Sequence, residues 1–172
     1  GGQGNDVVVA AGWKNTLYGD FGSSDNGNDV MIFIGGANKV QGNGGNDVII
    51  GAGLGNSIEG NAGNDIVLAA GLGQTIDTGD GDDIAVALGA GNQISAGAGQ
   101  DTIYIAGALG NAFGGSGDDV LFAVMKRTGM DLFVSAHPRG LDRPIMEGGK
   151  GLSGGQKQLV AFTRLILCNP RV

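Results

Sequence analysis

The chain lacks most of the groups on which small secreted scaffolds and common enzymes depend. One cysteine among 172 residues rules out a disulfide framework. One histidine, His137, leaves neither an HExxH zinc helix nor a Ser-His-Asp triad available. Aromatic residues are 5% of the chain, so little aromatic surface can be buried. No run of about 18 apolar residues reads as a membrane span, and no signal peptide is visible. The chain begins with glycine in mid-repeat, and both ends read as cuts in something longer. Positive charge is scarce: 10 Lys and Arg stand against 17 Asp and Glu, for a net −7. Lys150, Lys157 and Arg164 are spaced along one helix face, which fits a solvated surface better than a nucleic-acid contact. Cys168 reads as buried packing in an apolar helix, and Trp13 as a cap or turn contact.

Glycine is abundant instead. Of 37 glycines, 30 precede Val124, a density that excludes helix there. Aspartates recur among them at Asp6, Asp29, Asp47, Asp65, Asp83, Asp101 and Asp119, and from Asp29 onward the interval is a constant 18 residues. Halfway between stand Asn38, Asn56, Gln74 and Asn92, with Asn15 before them and Asn111 one place late, so the half-period is nine. Two residues after these positions the side chain is apolar: Val8, Leu17, Met31, Val40, Ile49, Ile58, Val67, Ile76, Ala85, Ile94, Ile103, Phe113 and Leu121. A short fixed period signals an array in which each unit buries its apolar residue against its neighbours. The unit is a glycine turn plus a very short strand, since glycine tolerates positive φ and Val, Ile and Leu favour extension. This predicts a mainly β, thin two-sheet solenoid with one inward residue per turn.

The nonapeptide Gly1-Gly2-Gln3-Gly4-Asn5-Asp6-Val7-Val8-Val9 meets the consensus G-G-x-G-x-D-x-U-x in full, and Gly42 to Ile50, Gly60 to Leu68 and Gly114 to Phe122 are close copies. Residues 1–124 therefore resemble the hemolysin-type RTX calcium-binding repeats, and the resemblance implies a parallel β-roll of 18 residues per coil. The chemistry agrees independently. Calcium takes about six to eight oxygen ligands at flexible geometry. The seven aspartates offer anionic oxygens, and glycine turns with no Cβ in the way, at Gly42, Gly44, Gly60, Gly79, Gly97 and Gly114, can turn carbonyls toward an ion. Stacked at strand spacing, roughly 4.8 Å, neighbouring aspartates would share ions; without metal they would repel. The five regular intervals from Asp29 to Asp119 imply about five calcium ions, while the insertion around Asp20 to Ser24 interrupts a sixth interval. Folding should be coupled to binding, because the metal-free array carries stacked charge and a large glycine entropy cost. The Asn and Gln column reads as a metal-free ladder of amides. Asp20, Asp25, Asp77, Asp118 and Glu59 read as solvated, and Asp80 and Asp82 as surface charge with a chance to tighten one site.

Composition changes after Val124. Residues 1–124 hold 14 acids and 2 lysines, a net −12; residues 125–172 hold 3 acids and 8 Lys or Arg, a net +5. Two modules are predicted, 1–124 and 125–172. In the second, Gly151-Leu152-Ser153-Gly154-Gly155-Gln156 precedes the apolar stretch Leu159 to Leu167 and reads as an anion-binding loop feeding a helix. L-S-G-G-Q resembles the signature motif of ABC transporter ATPases. The flanks His137-Pro138-Arg139-Gly140-Leu141-Asp142, Glu147-Gly148-Gly149-Lys150-Gly151 and Asn169-Pro170-Arg171-Val172 look like the type I secretion exporters. The resemblance covers about residues 126–172 and implies a short α-helical segment whose Ser153, Gly154, Gly155 and Gln156 touch the γ-phosphate of ATP held by an opposite domain. Walker A, Walker B and the catalytic glutamate are absent, so this chain alone is expected not to hydrolyse ATP.

The resemblances imply a calcium-binding module that leaves the cell through a type I exporter and orders outside it, carrying an incomplete ATPase tail of a kind that is cytoplasmic in its own family. Two other readings stay open: a piece of the exporter's ATPase that contacts ATP in trans, and a structural or adhesive spacer that calcium only stiffens.

Overall fold

The computed structural model describes residues 1–21, 26–107 and 109–121. The expected helical segment with Ser153, Gly154, Gly155 and Gln156 lies outside the described residues, as do Asp25, His137 and Cys168.

Every nine residues the chain forms one short strand, and alternate strands fall into alternate sheets. Numbered in chain order, one sheet contains β1 (Val7–Trp13), β3 (Val30–Gly36), β5 (Val48–Leu54), β7 (Ile66–Leu72), β9 (Ile84–Leu88), β11 (Thr102–Ala106) and β13 (Val120–Leu121). The other contains β2 (Thr16–Tyr18), β4 (Lys39–Gly44), β6 (Ser57–Ala62), β8 (Thr75–Asp80), β10 (Gln93–Ala98) and β12 (Asn111–Ser116). Neighbours within each sheet are parallel, so the described chain is a parallel β-solenoid. Partners stand one coil apart: Val48 pairs with Ile66 and Ile66 with Ile84. The first step is longer, Val7 with Val30, because residues inserted after Asp20 enlarge that coil without shifting its strands.

The expected apolar rank is inside. Leu17, Met31, Val40, Ile49, Ile58, Val67, Ile76, Ala85, Ile94 and Ile103 are buried, with Val8 and Leu121 packed against them. Two corrections follow. The strands of five residues or more direct not one but two residues inward, as a pleat of period two requires. The second rank, at Phe33, Ala69 and Ala87, is also buried. Its members match in size across coils: the Phe33 ring lies where a Cβ on Gly51 would stand. Small residues there keep the two sheets close enough for the large rank to interdigitate.

The second correction concerns Phe113, which is 41% exposed. Ile94 pairs with Ala112 and Ser95 with Phe113, so Ala112 continues the core column. The late Asn111 had suggested a slip of one residue, but the backbone keeps strict 18-residue register, with the Asn111 N–H donating to the Asn92 carbonyl at 2.9 Å. A one-residue slip would have turned every side chain of β12 to the other face.

The outer faces differ. That of the seven-stranded sheet carries half-exposed Ile32, Ile50, Leu68 and Tyr104 along one row, whereas that of the six-stranded sheet carries Gln41, Glu59, Asp77 and Ser95. Lys39 bridges to Glu59 there at 3.4 Å. Trp13, 65% exposed, lies over Gly36 of the next coil.

The register predicts a contrast measurable by urea unfolding in saturating calcium. Ile94→Ala should lower stability by about 2–5 kcal/mol, and Phe113→Ser by less than about 1 kcal/mol. Equal losses would put Phe113 back in the core.

Candidate metal centre

The turns leading into the odd strands bring the seven aspartates into one column. Asp29, Asp47, Asp65, Asp83 and Asp101 are each 1% exposed, and Asp6 and Asp119 are half-buried at its two ends. One oxygen of each carboxylate holds the coil before it. Oδ1 of Asp29 accepts the Asp6 N–H at 2.7 Å, and the same contact runs from Asp29 to Asp47 at 2.8 Å, Asp47 to Asp65 at 2.7 Å and Asp65 to Asp83 at 2.7 Å. It continues from Asp83 to Asp101 at 2.9 Å and from Asp101 to Asp119 at 3.1 Å. An N–H bound to a carboxylate is a charge-assisted bond. Each link therefore favours the ionised side chain.

The other oxygen is the unusual one. Oδ2 of Asp29, Asp47, Asp65, Asp83 and Asp101 is buried and has no hydrogen-bond partner. A buried carboxylate oxygen without a donor is costly, the more so with four like neighbours in line. Burial, reinforced by neighbouring carboxylates, pushes Asp47 and Asp65 up to about 7 against the partial relief of the backbone bond. Asp29, Asp83 and Asp101 are raised for the same leading reason.

The opposite column supplies an internal control. Asn38, Asn56, Gln74 and Asn92 are buried in the matching turns, and their carbonyl oxygens accept the N–H groups of Asn15, Asn38, Asn56 and Gln74 at 2.9–3.3 Å. An amide differs from a carboxylate in having a donor where the second oxygen would be. In the middle of the column the donor is used: Nδ2 of Asn56 reaches the Gly35 carbonyl at 3.3 Å and Nε2 of Gln74 the Gly53 carbonyl at 2.6 Å, whereas Nδ2 of Asn15 and of Asn92 is buried without an acceptor. Asn111 is not part of this column; Gly110 holds its place.

Calcium fits the aspartate column on these observations. The orphan oxygens are acceptors only, and oxygen atoms of the next coil lie near them. A Cβ on Gly42 or Gly60 would overlap Oδ2 of Asp47 or Asp65. The same point on Gly42 is 2.8 Å from the Gly60 carbonyl oxygen, and on Gly60 it touches that of Thr78. Among the described residues no three His, Cys, Asp or Glu side chains gather as a metal cluster. A site here would combine carboxylate with backbone carbonyl oxygens, a donor set that a hard cation accepts.

The other expected site residues are placed differently. Gly114 lies against Asp119, as Gly42 does against Asp47. Gly79 and Gly97 stand one position further along the turn, stacked on the Asn61 and Gly79 carbonyls, and Gly44 ends β4. Asp82 is exposed rather than aimed at a neighbouring site, and its Oδ1 accepts the Gln100 N–H at 2.8 Å. It belongs to a third ladder that sequence reasoning missed. In it Asn5, Asn28, Asn46 and Asn64 accept N–H groups from the coil after each of them, at 2.7–2.9 Å. The signal was present, since an Asn or Asp precedes most of the column aspartates. Asp20 also departs from its expected solvated role: it is 2% exposed, with Oδ2 accepting the Gly27 N–H at 3.2 Å.

A sequence profile of the RTX calcium-binding nonapeptide repeat matches in four copies, at residues 34–67, 55–71, 75–108 and 110–123, which together cover half of the chain. The chain belongs to this family of repeats. Shorter matches join it to ABC transporters. It is 43% identical over 47 residues to ABC transporter B family member 13 of Arabidopsis thaliana, covering 27% of this chain and 4% of that protein. It is 42% identical over 50 residues to antigen peptide transporter 1 of Rattus norvegicus, covering 29% and 7%. A 40-residue match to the serine protease/ABC transporter B family protein tagA of Dictyostelium discoideum is 52% identical and covers 23% and 2%. These matches support the resemblance of the C-terminal segment, although the chain spans less than a tenth of the length of each of these relatives. No solved structure matches the chain.

The raised carboxylates set the pH dependence of the metal-free chain. Their folded values lie above the ordinary carboxylate value of about 3.9, so the folded state binds the extra protons. Stability from this source is present below that value and is lost as pH rises through about 7 for Asp47 and Asp65. In chelator, the far-UV β signal should therefore grow between pH 7.5 and pH 4. In calcium the order should reverse, because protons compete for the ligands. A β signal in chelator that falls on acidification contradicts the buried column.

Proposed function

We propose that this chain is a calcium-binding RTX module of a type I secreted protein, ordering when calcium is met outside the cell and carrying a non-catalytic partial ABC ATPase tail. The observation that carries this reading is the row of five buried, unpartnered Oδ2 atoms, set opposite amides of which Asn38, Asn56 and Gln74 use their side-chain donors. The column of Asp29, Asp47, Asp65, Asp83 and Asp101, with Asp6 and Asp119 at the ends, is the set from which the carboxylate ligands are drawn. Turn carbonyls such as those of Gly42 and Gly60 complete the oxygen set. Bound calcium supplies the positive charge that the column lacks.

The consequences for the chain follow from its own groups. Without a cation the ionised carboxylates oppose stacking, and 30 glycines before Val124 add a large backbone entropy to be overcome. With the charge compensated, each Oδ1 can hold its neighbour's N–H and the coils stack. Secretion through a type I exporter is the route that RTX resemblance implies. Short identity to ABC transporters favours a second reading for the tail alone, in which Ser153, Gly154, Gly155 and Gln156 contact ATP across an interface with a complete ATPase domain.

A calcium titration followed by far-UV circular dichroism, with magnesium as control, tests the first reading. The expected result is a cooperative coil-to-β transition with calcium only. Asp47→Asn combined with Asp65→Asn should raise the calcium midpoint several-fold. A β signal already complete in chelator at pH 7.5 would refute metal-driven folding.

A further inference from the structure

The coils are not equivalent on the aspartate side. The residue five places before the carboxylate, near the end of each even strand, faces it. Gly1, Gly42, Gly60 and Gly114 face Asp6, Asp47, Asp65 and Asp119 in this way, and Gly19 faces Asp29 across the enlarged coil. In all five, a Cβ would overlap Oδ2, and at Asp6 alone that oxygen already accepts an N–H, that of Gly2. That point lies 2.6 Å from the Gly42 carbonyl oxygen in the Gly19 coil and 2.8 Å from that of Gly60 in the Gly42 coil. Carboxylate oxygen and next-coil carbonyl thus converge beside a glycine.

In the remaining two coils the glycine is replaced. Thr78 stands before Asp83 and Ala96 before Asp101, both fully buried, with Ala96 counted among the core residues. Their side-chain carbon must take the volume that the glycine coils give to Oδ2. The Thr78 hydroxyl also donates to the Ala96 carbonyl at 2.9 Å. That carbonyl is the counterpart of the Gly42, Gly60 and Thr78 carbonyls in the earlier coils.

We propose that the column is divided, with ions held at Asp29, Asp47 and Asp65, and with the Asp83 and Asp101 positions closed by Thr78 and Ala96. This rests on the calcium reading above and gives it an occupancy pattern. Two observations support the closure: the overlap that a Cβ at this place would meet in the glycine coils, and the hydrogen bond that the Ala96 carbonyl accepts from Thr78. The calcium-binding stretch is then a contiguous row at the start of the solenoid, followed by two coils whose stacking depends on packing around Thr78 and Ala96.

The test is the number of calcium ions bound by the whole chain, measured by equilibrium dialysis with elemental analysis at pH 7.5. Thr78→Gly and Ala96→Gly should each bind one ion more than the unaltered chain, and Gly60→Ala one fewer. Thr78→Ala keeps the Cβ without the hydroxyl and should leave the number unchanged. No gain in either glycine variant overturns the division. So does the loss of an ion in Thr78→Ala, because it would make the hydroxyl a ligand. Circular dichroism in saturating calcium confirms that each variant is ordered. An unaltered chain that binds no calcium would instead sink the calcium reading itself.

Discussion

The structure turns on a carboxylate asked to do two things. Its Oδ1 holds the backbone N–H of the coil before it, and that bond fixes the height of one coil over the next from Asp6 to Asp119. Its Oδ2 is left buried without a donor. A neutral amide can hold register and still place its donor, as Asn56 and Gln74 do in the opposite column. A carboxylate holds it more strongly, through a charge-assisted bond, but only when something offsets the charge. The fold therefore contains its own dependence on a cation. Burial pushes Asp47 and Asp65 up to about 7, which measures how poorly these sites tolerate ionisation unaided.

The two columns divide the work between them. On the amide side, Asn38, Asn56, Gln74 and Asn92 connect successive coils through side-chain carbonyl acceptors, while Asn56 and Gln74 spend their side-chain donors on the Gly35 and Gly53 carbonyls. Register along that edge needs no ion. Charge-dependent order is thereby confined to one edge, and both edges stack the same apolar ranks between them. Coupling between metal and fold runs through strand register, because each aspartate ends a turn and directly precedes a strand of the seven-stranded sheet.

Much of this was legible because the array repeats one decision. The 18-residue interval located the aspartate column and the inward rank, and glycine density excluded helix across residues 1–124. Reading failed where residue identity and period disagreed. Asn111 attracted attention as an asparagine, yet the ladder kept its spacing, placed Gly110 in the column and turned Phe113 outward. The second inward rank was missed because Phe33, Gly51, Ala69 and Ala87 share no chemical class; they share only the volume they must fill together. The exposed Asn5 to Asp82 ladder escaped notice for another reason. A residue beside each conspicuous aspartate looked like turn polarity until its N–H partner in the neighbouring coil was known. Burial of Asp20 could not be read at all, since it depends on how the enlarged first coil folds back to offer the Gly27 N–H.

Glycine in this array answers two separate demands, and separating them explains which substitutions the repeat accepts. At Gly63 the demand is conformational: φ is +121°, and a Cβ would run into the Gly45 carbonyl of the coil before it. The equivalent places Gly45, Gly81, Gly99 and Gly117 remain glycine in every regular coil, because no side chain satisfies that backbone. At Gly60 φ is not in the left-handed region, and the demand is only for room beside a carboxylate. Such a position can admit Thr78 or Ala96 without shifting the strand, as β8 and β10 keep the same register on either side of them. What changes is the space around one oxygen atom. Backbone register and cation binding are therefore set by different glycines five residues or fewer apart, so a solenoid of this kind can lose an ion site in one coil and keep its fold.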